Sequence, residues 1–189
     1  MITLAAVRRA MSSHRATEVR EPGASLAAVA LVLVEQRQGV DILLIRRAVR
    51  AGDPWSGHVA LPGGRHSPAD PDLAATAMRE TYEETGVDLS AAERLGTLDD
   101  LHPRTPMLPP IIVRPFVRAL VHAVPLVPSA EVERAFWISL DRFAEPGALR
   151  DVTLMLRGEP HVFPAYTLGD DTVWGMTERI LTSFLRLIK

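Results

Sequence analysis

Arg79-Glu80-Thr81-Tyr82-Glu83-Glu84-Thr85-Gly86-Val87 is the stretch from which the rest of the chain can be read. It closes a helix with clear punctuation, expected over Asp72 to Thr85. Asp70 supplies a cap, Pro71 suits a first turn where a missing N–H costs nothing, and Gly86 suits the position just past the end. Spacings of three and four put Glu80, Glu83 and Glu84 on one side of this helix. Leu73, Ala74, Ala77, Met78 and Thr81 are left on the other side for packing.

The plain structural reading of the three glutamates is a solvated acidic face. Two physical objections weigh against it. Like charges at these spacings cost about 0.2–0.5 kcal/mol per pair. The cluster also lies in the last two turns, where the helix dipole favours cations and disfavours anions. Arg79 is the basic residue within the helix, and it precedes Glu83 in the less favourable order. Local rules broken in this way often mark a functional site. A divalent cation would turn the repulsion into coordination, and carboxylate oxygens suit hard ions such as Mg²⁺ and Mn²⁺.

Moving outward, Gly63-Gly64 stands between a short strand, His58 to Leu61, and this helix. Glycines there let the backbone approach a ligand and leave carbonyls free to point inward. Further upstream, the apolar, valine-rich Leu26 to Val34 reads as a buried strand. A polar turn over Glu35 to Gly39 and a second strand over Asp41 to Ile45 make a hairpin with it. Val49 to Gly57 is a loop. Downstream, Leu95 to Leu98 and Ile111 to Leu120 read as strands around a proline-rich loop, and Phe136 to Leu140 is another apolar run. Val152 to Leu156 and His161 to Phe163 form a hairpin. Thr172 to Leu187 reads as a helix, with Trp174, Ile180, Leu181, Phe184 and Leu187 at helical spacing.

This order resembles the box of the Nudix hydrolase superfamily, whose core reads Arg-Glu-x-x-Glu-Glu-x-Gly followed by an apolar residue. Every charged and glycine position of that core is present over Arg79–Val87. The usual upstream glycine falls on Arg65, the usual upstream glutamate on Pro71, and Thr81 stands where a larger apolar residue is common. A loop one residue longer is similar to the coenzyme A pyrophosphatase branch. So are Leu61-Pro62-Gly63-Gly64, Asp70, Thr76-Ala77, Phe163-Pro164-Ala165-Tyr166 and Trp174-Gly175-Met176-Thr177. The resemblance runs from about Leu26 to Leu181. Two places depart from that branch: Asp53-Pro-Trp-Ser-Gly-His-Val-Ala60, and Ser67 where aspartate is frequent.

The resemblance implies one Nudix domain over residues 1–189, with residues 1–22 as an N-terminal extension or helix and the box region over 63–87. It implies an α/β fold, an α/β/α sandwich with a mixed sheet, against a plain α+β arrangement as the alternative. The acidic helix is expected on one sheet face and the C-terminal helix at the periphery. It further implies metal-dependent hydrolysis of a pyrophosphate bond by water, with Mg²⁺ or Mn²⁺ as cofactor. Glu80, Glu83 and Glu84 would be ligands or act through ligated water, with a carbonyl of Gly63 or Gly64 in the shell. Arg79 would orient a glutamate through a charge-assisted bond. Glu131, in a loop before the Phe136-Trp137 run, is a candidate general base and equally a surface acid. Arg47, Arg65 and Arg104 are candidates to hold phosphates, although each also reads as a solvated arginine. His58 and Trp55 are candidate substrate contacts, with a structural role the plainer reading for the histidine.

The substrate expected is a small diphosphate: coenzyme A or an acyl derivative, or else ADP-ribose, a dinucleotide or a damaged nucleotide. A nucleotide-binding sensor on the same fold is a further alternative, but such sensors usually lose box glutamates. The net charge of −2 gives no basic surplus for a general nucleic-acid binder. There is no cysteine, which removes disulfides and thiolate metal sites and suits a reducing, cytoplasmic setting. No apolar run reaches the ~18–20 residues that span a bilayer, so no membrane partner is expected; a homodimer is compatible. Lys189 is the sole lysine, which argues against a lysine nucleophile. His-x-x-x-His, Gly-x-x-x-x-Gly-Lys and Gly-x-Ser-x-Gly patterns are absent. Met1 to Arg20 has four arginines and no acid before Glu18, which slightly resembles a transit peptide. Ile2, Leu4, Val7 and Met11 nevertheless share a rough helical face, as in a short surface helix.

Overall fold

The fold is built around one strand with two buried faces. In the computed structural model, which describes residues 1–49, 57–104, 109–156 and 158–189, β1 covers Ser25–Gln36. Ala27, Leu31 and Leu33 of β1 face one hydrophobic cluster, and Ala28, Ala30 and Val32 face another. Alternation of apolar side chains over two faces needs helices on both. The helix α1 (Leu4–Ser13) and the C-terminal helix α4 (Gly175–Leu187) cover the first face. The acidic helix α2 (Leu73–Thr85) covers the second. This is the expected α/β/α sandwich.

The sheet is mixed. β6 (Ile111–Leu120) runs parallel to β1 over ten residue pairs, from Ser25 opposite Ile111 to Val34 opposite Leu120. On the other edge, β2 (Gly39–Arg47) pairs antiparallel with β1 only between Leu33 and Gln36. Beyond that point the two strands part, and the segment Val59–Arg65 fills the fork. Its β3 (Val59–Ala60) pairs with β2, and its β4 (Gly63–Arg65) pairs with Ala27 to Val29 of β1. β5 (Glu93–Thr97) pairs with β6, and β7 (Val132–Ser139) pairs with β2. The short α3 (Asp141–Ala144) follows. A separate three-stranded sheet holds β8 (Leu149–Leu156), β9 (Glu159–Leu168) and β10 (Asp171–Trp174).

Three expectations need correction. Thr172 to Trp174 is strand, because Asp171–Trp174 pairs with Ala165–Leu168 of β9; the helix begins at Gly175. That helix is not peripheral: Leu181 and Phe184 are fully buried. Burying one such side chain contributes about 1.5–3 kcal/mol. The cap of α2 is Asp72 rather than Asp70: Asp72 accepts from the Ala75 N–H at 2.7 Å. Pro71 therefore precedes the cap instead of opening the helix. At the N-terminus the helix reading holds, with Leu4, Val7 and Met11 buried on one side of α1. No helix among the described residues is long and apolar enough to cross a membrane.

Candidate active site

The fork between β1 and β2 presents Gly63 and Gly64 to one side of α2. Gly63 has φ +150°, which side chains rarely adopt, and a Cβ there would overlap the Ala28 carbonyl. A Cβ on Gly64 would stand 2.5 Å from the carboxylate carbon of Glu80. Two glycines are thus what lets the acidic helix lie directly on this backbone. The Gly63 N–H donates to Glu84 Oε2 at 2.9 Å.

Arg79 organises the other carboxylates. Its Nη1 is 2.8 Å from Glu80 Oε1 and 3.1 Å from Glu83 Oε2, so one nitrogen gathers two glutamates. Its Nε and Nη2 meet the two oxygens of Asp70 at 2.9 and 3.0 Å, a two-pronged pairing that fixes the guanidinium plane. Asp70 also accepts from the Ser67 N–H and the Thr76 hydroxyl, and Thr76 contacts His66 Nδ1 at 2.9 Å. Hydrogen bonds from Arg79 are the main cause that holds Asp70 well below the usual carboxylate range; Asp70 in turn raises Arg79. This anchor was only half legible: Asp70 fits the branch pattern and reads as a cap, yet its partner lies nine residues along, beyond local rules.

Burial sets Glu84 apart. It is 7% exposed, and loss of hydration pushes its carboxyl up to about 7. The Gly63 N–H opposes this, Glu80 adds to it, Arg47 opposes it, and Glu131 adds to it. The charges of Arg47 and Glu131 are thus felt at Glu84. Glu131 arrives there through the segment before β7. The Val127 and Ser129 N–H groups donate to the Thr85 and Glu84 carbonyls at the open end of α2, and Ala48 N–H donates to the Glu131 carbonyl. Gly86 completes that end in the left-handed conformation, φ +72°.

Arg65 lies beside the cluster: its carbonyl accepts from Arg79 Nη2 at 3.4 Å, and its side chain is exposed. Arg104 is directed elsewhere, with Nη2 3.5 Å from Glu21 and the side chain 81% exposed. The His58 ring packs edge-on to Trp174 at 4.8 Å, which agrees with its structural reading. Trp55 lies outside the described residues. Among the described residues no three acidic or imidazole groups form a ready-made metal cage. Glu80 and Glu83 instead share the Arg79 cation.

Fold and site together define a class. Residues 24–157 match the family model described as the NUDIX domain, and the chain belongs to that family, the Nudix hydrolases, as a pyrophosphohydrolase. Over 141 residues it is 30% identical to the uncharacterized Nudix hydrolase NudL of Photorhabdus laumondii, covering 74% of this chain and 73% of that one. It is 29% identical over 170 residues to the mouse mitochondrial coenzyme A diphosphatase NUDT8, covering 88% and 79%. A 61-residue stretch is 51% identical to an uncharacterized Schizosaccharomyces pombe protein, but spans only 31% of this chain and 18% of that one. Among solved structures, a MutT/nudix family protein from Enterococcus faecalis superposes with a TM-score of 0.60 at 23% identity, covering 98% and 70%. The NUDIX domain of Shewanella oneidensis NrtR, solved with ADP ribose, gives 0.52 at 22%, covering 67% and 83%. At these identities the structural likeness is one of fold.

Proposed function

We propose that the chain hydrolyses the pyrophosphate bond of coenzyme A or an acyl derivative, using Mg²⁺ or Mn²⁺. The observation that carries this reading is the meeting of Glu80, Glu83 and Glu84 with Gly63-Gly64 and Arg79. The donor set is all hard oxygen, which fits these ions. The raised Glu84 carboxyl fits too: burial pushes it up first and the charges of Glu80 and Glu131 add to that, so a cation would restore its ionised form. A bound ion supplies a more acidic water and neutralises charge on the diphosphate. The residues of the chain do the rest. Glu80, Glu83 and Glu84 would hold the ion, helped by a carbonyl of Gly63 or Gly64. Arg79, kept in plane by Asp70, orients Glu80 and Glu83. Glu131 takes the proton of the attacking water. Arg47 and Arg65 bind the phosphates. The coenzyme A assignment draws on the diphosphatase relative and on the branch pattern over Leu61–Gly64 and Phe163–Tyr166. A cytoplasmic setting belongs to this proposal; the mouse relative is by its name mitochondrial.

A second reading, ADP-ribose or a dinucleotide as substrate, is favoured by the departures at Asp53–Ala60 and Ser67. The test is turnover on a panel of diphosphates with Mg²⁺, Mn²⁺ or a chelator. Release of 3′,5′-ADP and a phosphopantetheine product from coenzyme A is the expected result. Full turnover in chelator overturns the metal mechanism, and inert coenzyme A beside rapid cleavage of ADP-ribose selects the second reading.

A further inference from the structure

His66 has no role in the proposed hydrolysis, yet it is tied to the centre of the glutamate cluster. β4 ends at Arg65, and the His66 N–H continues its pairing by donating to the Leu26 carbonyl. Along an extended segment, residues two apart share a face. Gly64 lies against Glu80 of α2, so His66 presents its ring to the same helix. There its Nδ1 meets the Thr76 hydroxyl at 2.9 Å.

Thr76 departs from the other two threonines buried on α2. The hydroxyls of Thr81 and Thr85 donate to the carbonyls four residues back, at 2.7 and 2.6 Å, the usual habit of a hydroxyl inside a helix. Thr76 stands 3.3 Å from the Asp72 carbonyl and 2.9 Å from Asp70 Oδ2. Its hydroxyl has a single proton to give. Asp70 binds Arg79 with both oxygens and is held ionised, so it can only accept. The Thr76 proton therefore goes to Asp70, and the contact with His66 must be supplied by an Nδ1–H of the imidazole. Donation runs one way, from His66 to Thr76 and from Thr76 to Asp70. Arg79 donates to Asp70 from the other side, and the same guanidinium gathers Glu80 and Glu83. Thr76 is fully buried and the Asp70 side chain is 6% exposed, so water is a poor substitute for either contact.

We propose that His66 is a positioning residue for the metal-holding glutamates. Its Nδ1–H turns the Thr76 hydroxyl away from the helix carbonyl and onto Asp70, and Asp70 in turn sets the plane of Arg79. This role presupposes that the cluster binds a metal, and adds to it a group that touches neither ion nor substrate. It also fixes the tautomer: the neutral ring carries its proton on Nδ1 and leaves Nε2 bare.

Two measurements on the whole chain test this role. The first needs neither metal nor substrate: nitrogen-15 NMR of the histidine rings, above the ordinary histidine titration range, should show His66 protonated at Nδ1. The second is Mn²⁺ affinity by calorimetric titration. His66→Leu keeps a branched shape without a donor and should weaken Mn²⁺ binding about 5-fold, the scale of one neutral hydrogen bond. His66→Asn, whose amide nitrogen sits at the same remove from Cβ as Nδ1, should restore it. In a Thr76→Val background, His66→Leu should cost nothing further, because the link is already cut. The kcat at limiting Mn²⁺ should follow the affinities, with KM for the diphosphate unchanged. An Nε2–H tautomer overturns the proposal. So does wild-type Mn²⁺ affinity in His66→Leu, an equal loss in His66→Leu and His66→Asn, or a loss that adds fully to that of Thr76→Val. Where His66→Leu does not fold, the tautomer of the wild type decides. A wild type that binds no Mn²⁺ defeats the metal reading and this role with it; one that binds Mn²⁺ but cleaves no diphosphate defeats the hydrolase reading alone.

Discussion

The two thirteen-residue helices α2 and α4 lie on opposite faces of the same sheet and obey opposite rules. α4 buries Ile180, Leu181, Phe184 and Leu185 together with one acid, Glu178, which lies in the first turn where the dipole favours it and accepts from the Thr182 hydroxyl at 2.7 Å; Arg186 in the last turn suits the dipole as well. α2 buries Thr76, Ala77, Thr81, Glu84 and Thr85, has no basic residue in its last turn, and crowds glutamates there instead. Helix α4 is composed for stability. In α2 the same length of chain gives up dipole compatibility and apolar burial, and in return lays carboxylates against a glycine-lined backbone. Where local choices conflict with stability and a neighbouring element does not, function is the economical explanation.

The contrast can be broken most sharply at Glu83 and Glu84. Replacing either with glutamine should lower turnover by roughly 10²–10⁴-fold, the scale of losing a principal electrostatic or acid–base contribution. The Tm without metal should stay level or rise, since one repelling charge near a helix C-terminus is gone. Near-wild-type kcat per folded molecule in both variants would reduce α2 to a solvated acidic face. The reverse pattern is expected on α4. Phe184→Ala empties a fully buried position and should cost about 3–5 kcal/mol in denaturant melts, with turnover per folded molecule kept.

A pH series sharpens the comparison further. Glu84 has a folded-state pKa of about 7 against an ordinary 4.5, so the native protein holds that proton more tightly than the unfolded chain. Its contribution to metal-free stability is complete below the ordinary value and is lost as pH rises through about 7. The loss is about 3 kcal/mol at most. Glu84→Gln should flatten that slope, and Mg²⁺ should stabilise the wild type increasingly over the same window. A metal-free stability that climbs between pH 5 and 7, with Glu84→Gln identical, would contradict the placement of this carboxyl. The smallest effect belongs to Glu93→Gln. Its partner Arg8 is 2.7 Å away, yet both side chains are nearly half exposed, so the change should stay below about 1 kcal/mol with activity untouched.

What was readable in advance follows from the range of the forces involved. β6 was legible to the residue in spite of Arg114, Pro115 and Arg118 within it, because Pro109-Pro110 marks its start and Ile111-Ile112-Val113 and Phe116-Val117 are strand formers. The carboxyl end of α2 was equally clear, since Gly86 takes a conformation that other residues resist. The amino end was not. Asp70 and Asp72 both satisfy local capping rules, and Arg79 decides between them through space. β10 was absorbed into the last helix because Trp174 continues the helical spacing, while its strand character depends on pairing with Ala165 of β9. The glutamate cluster needed only one element and was visible. The fork that carries Gly63, and the approach of Glu131 and Arg47 to Glu84, depend on pairings that only the folded chain reveals.

The tie between the segment before β7 and the end of α2 gives the molecule an internal clock. The Val127 and Ser129 amides are bound to the Thr85 and Glu84 carbonyls, although they belong to a stretch without regular structure of its own. Opening of that end of α2 releases both amides, so their deuterium uptake can be no slower than that opening. In an exchange experiment a change that opens the carboxyl end of α2 should speed up these two amides along with those of Tyr82 to Thr85. A change that loosens the acidic helix would thus be recorded forty residues downstream, on a peptide that carries none of the glutamates.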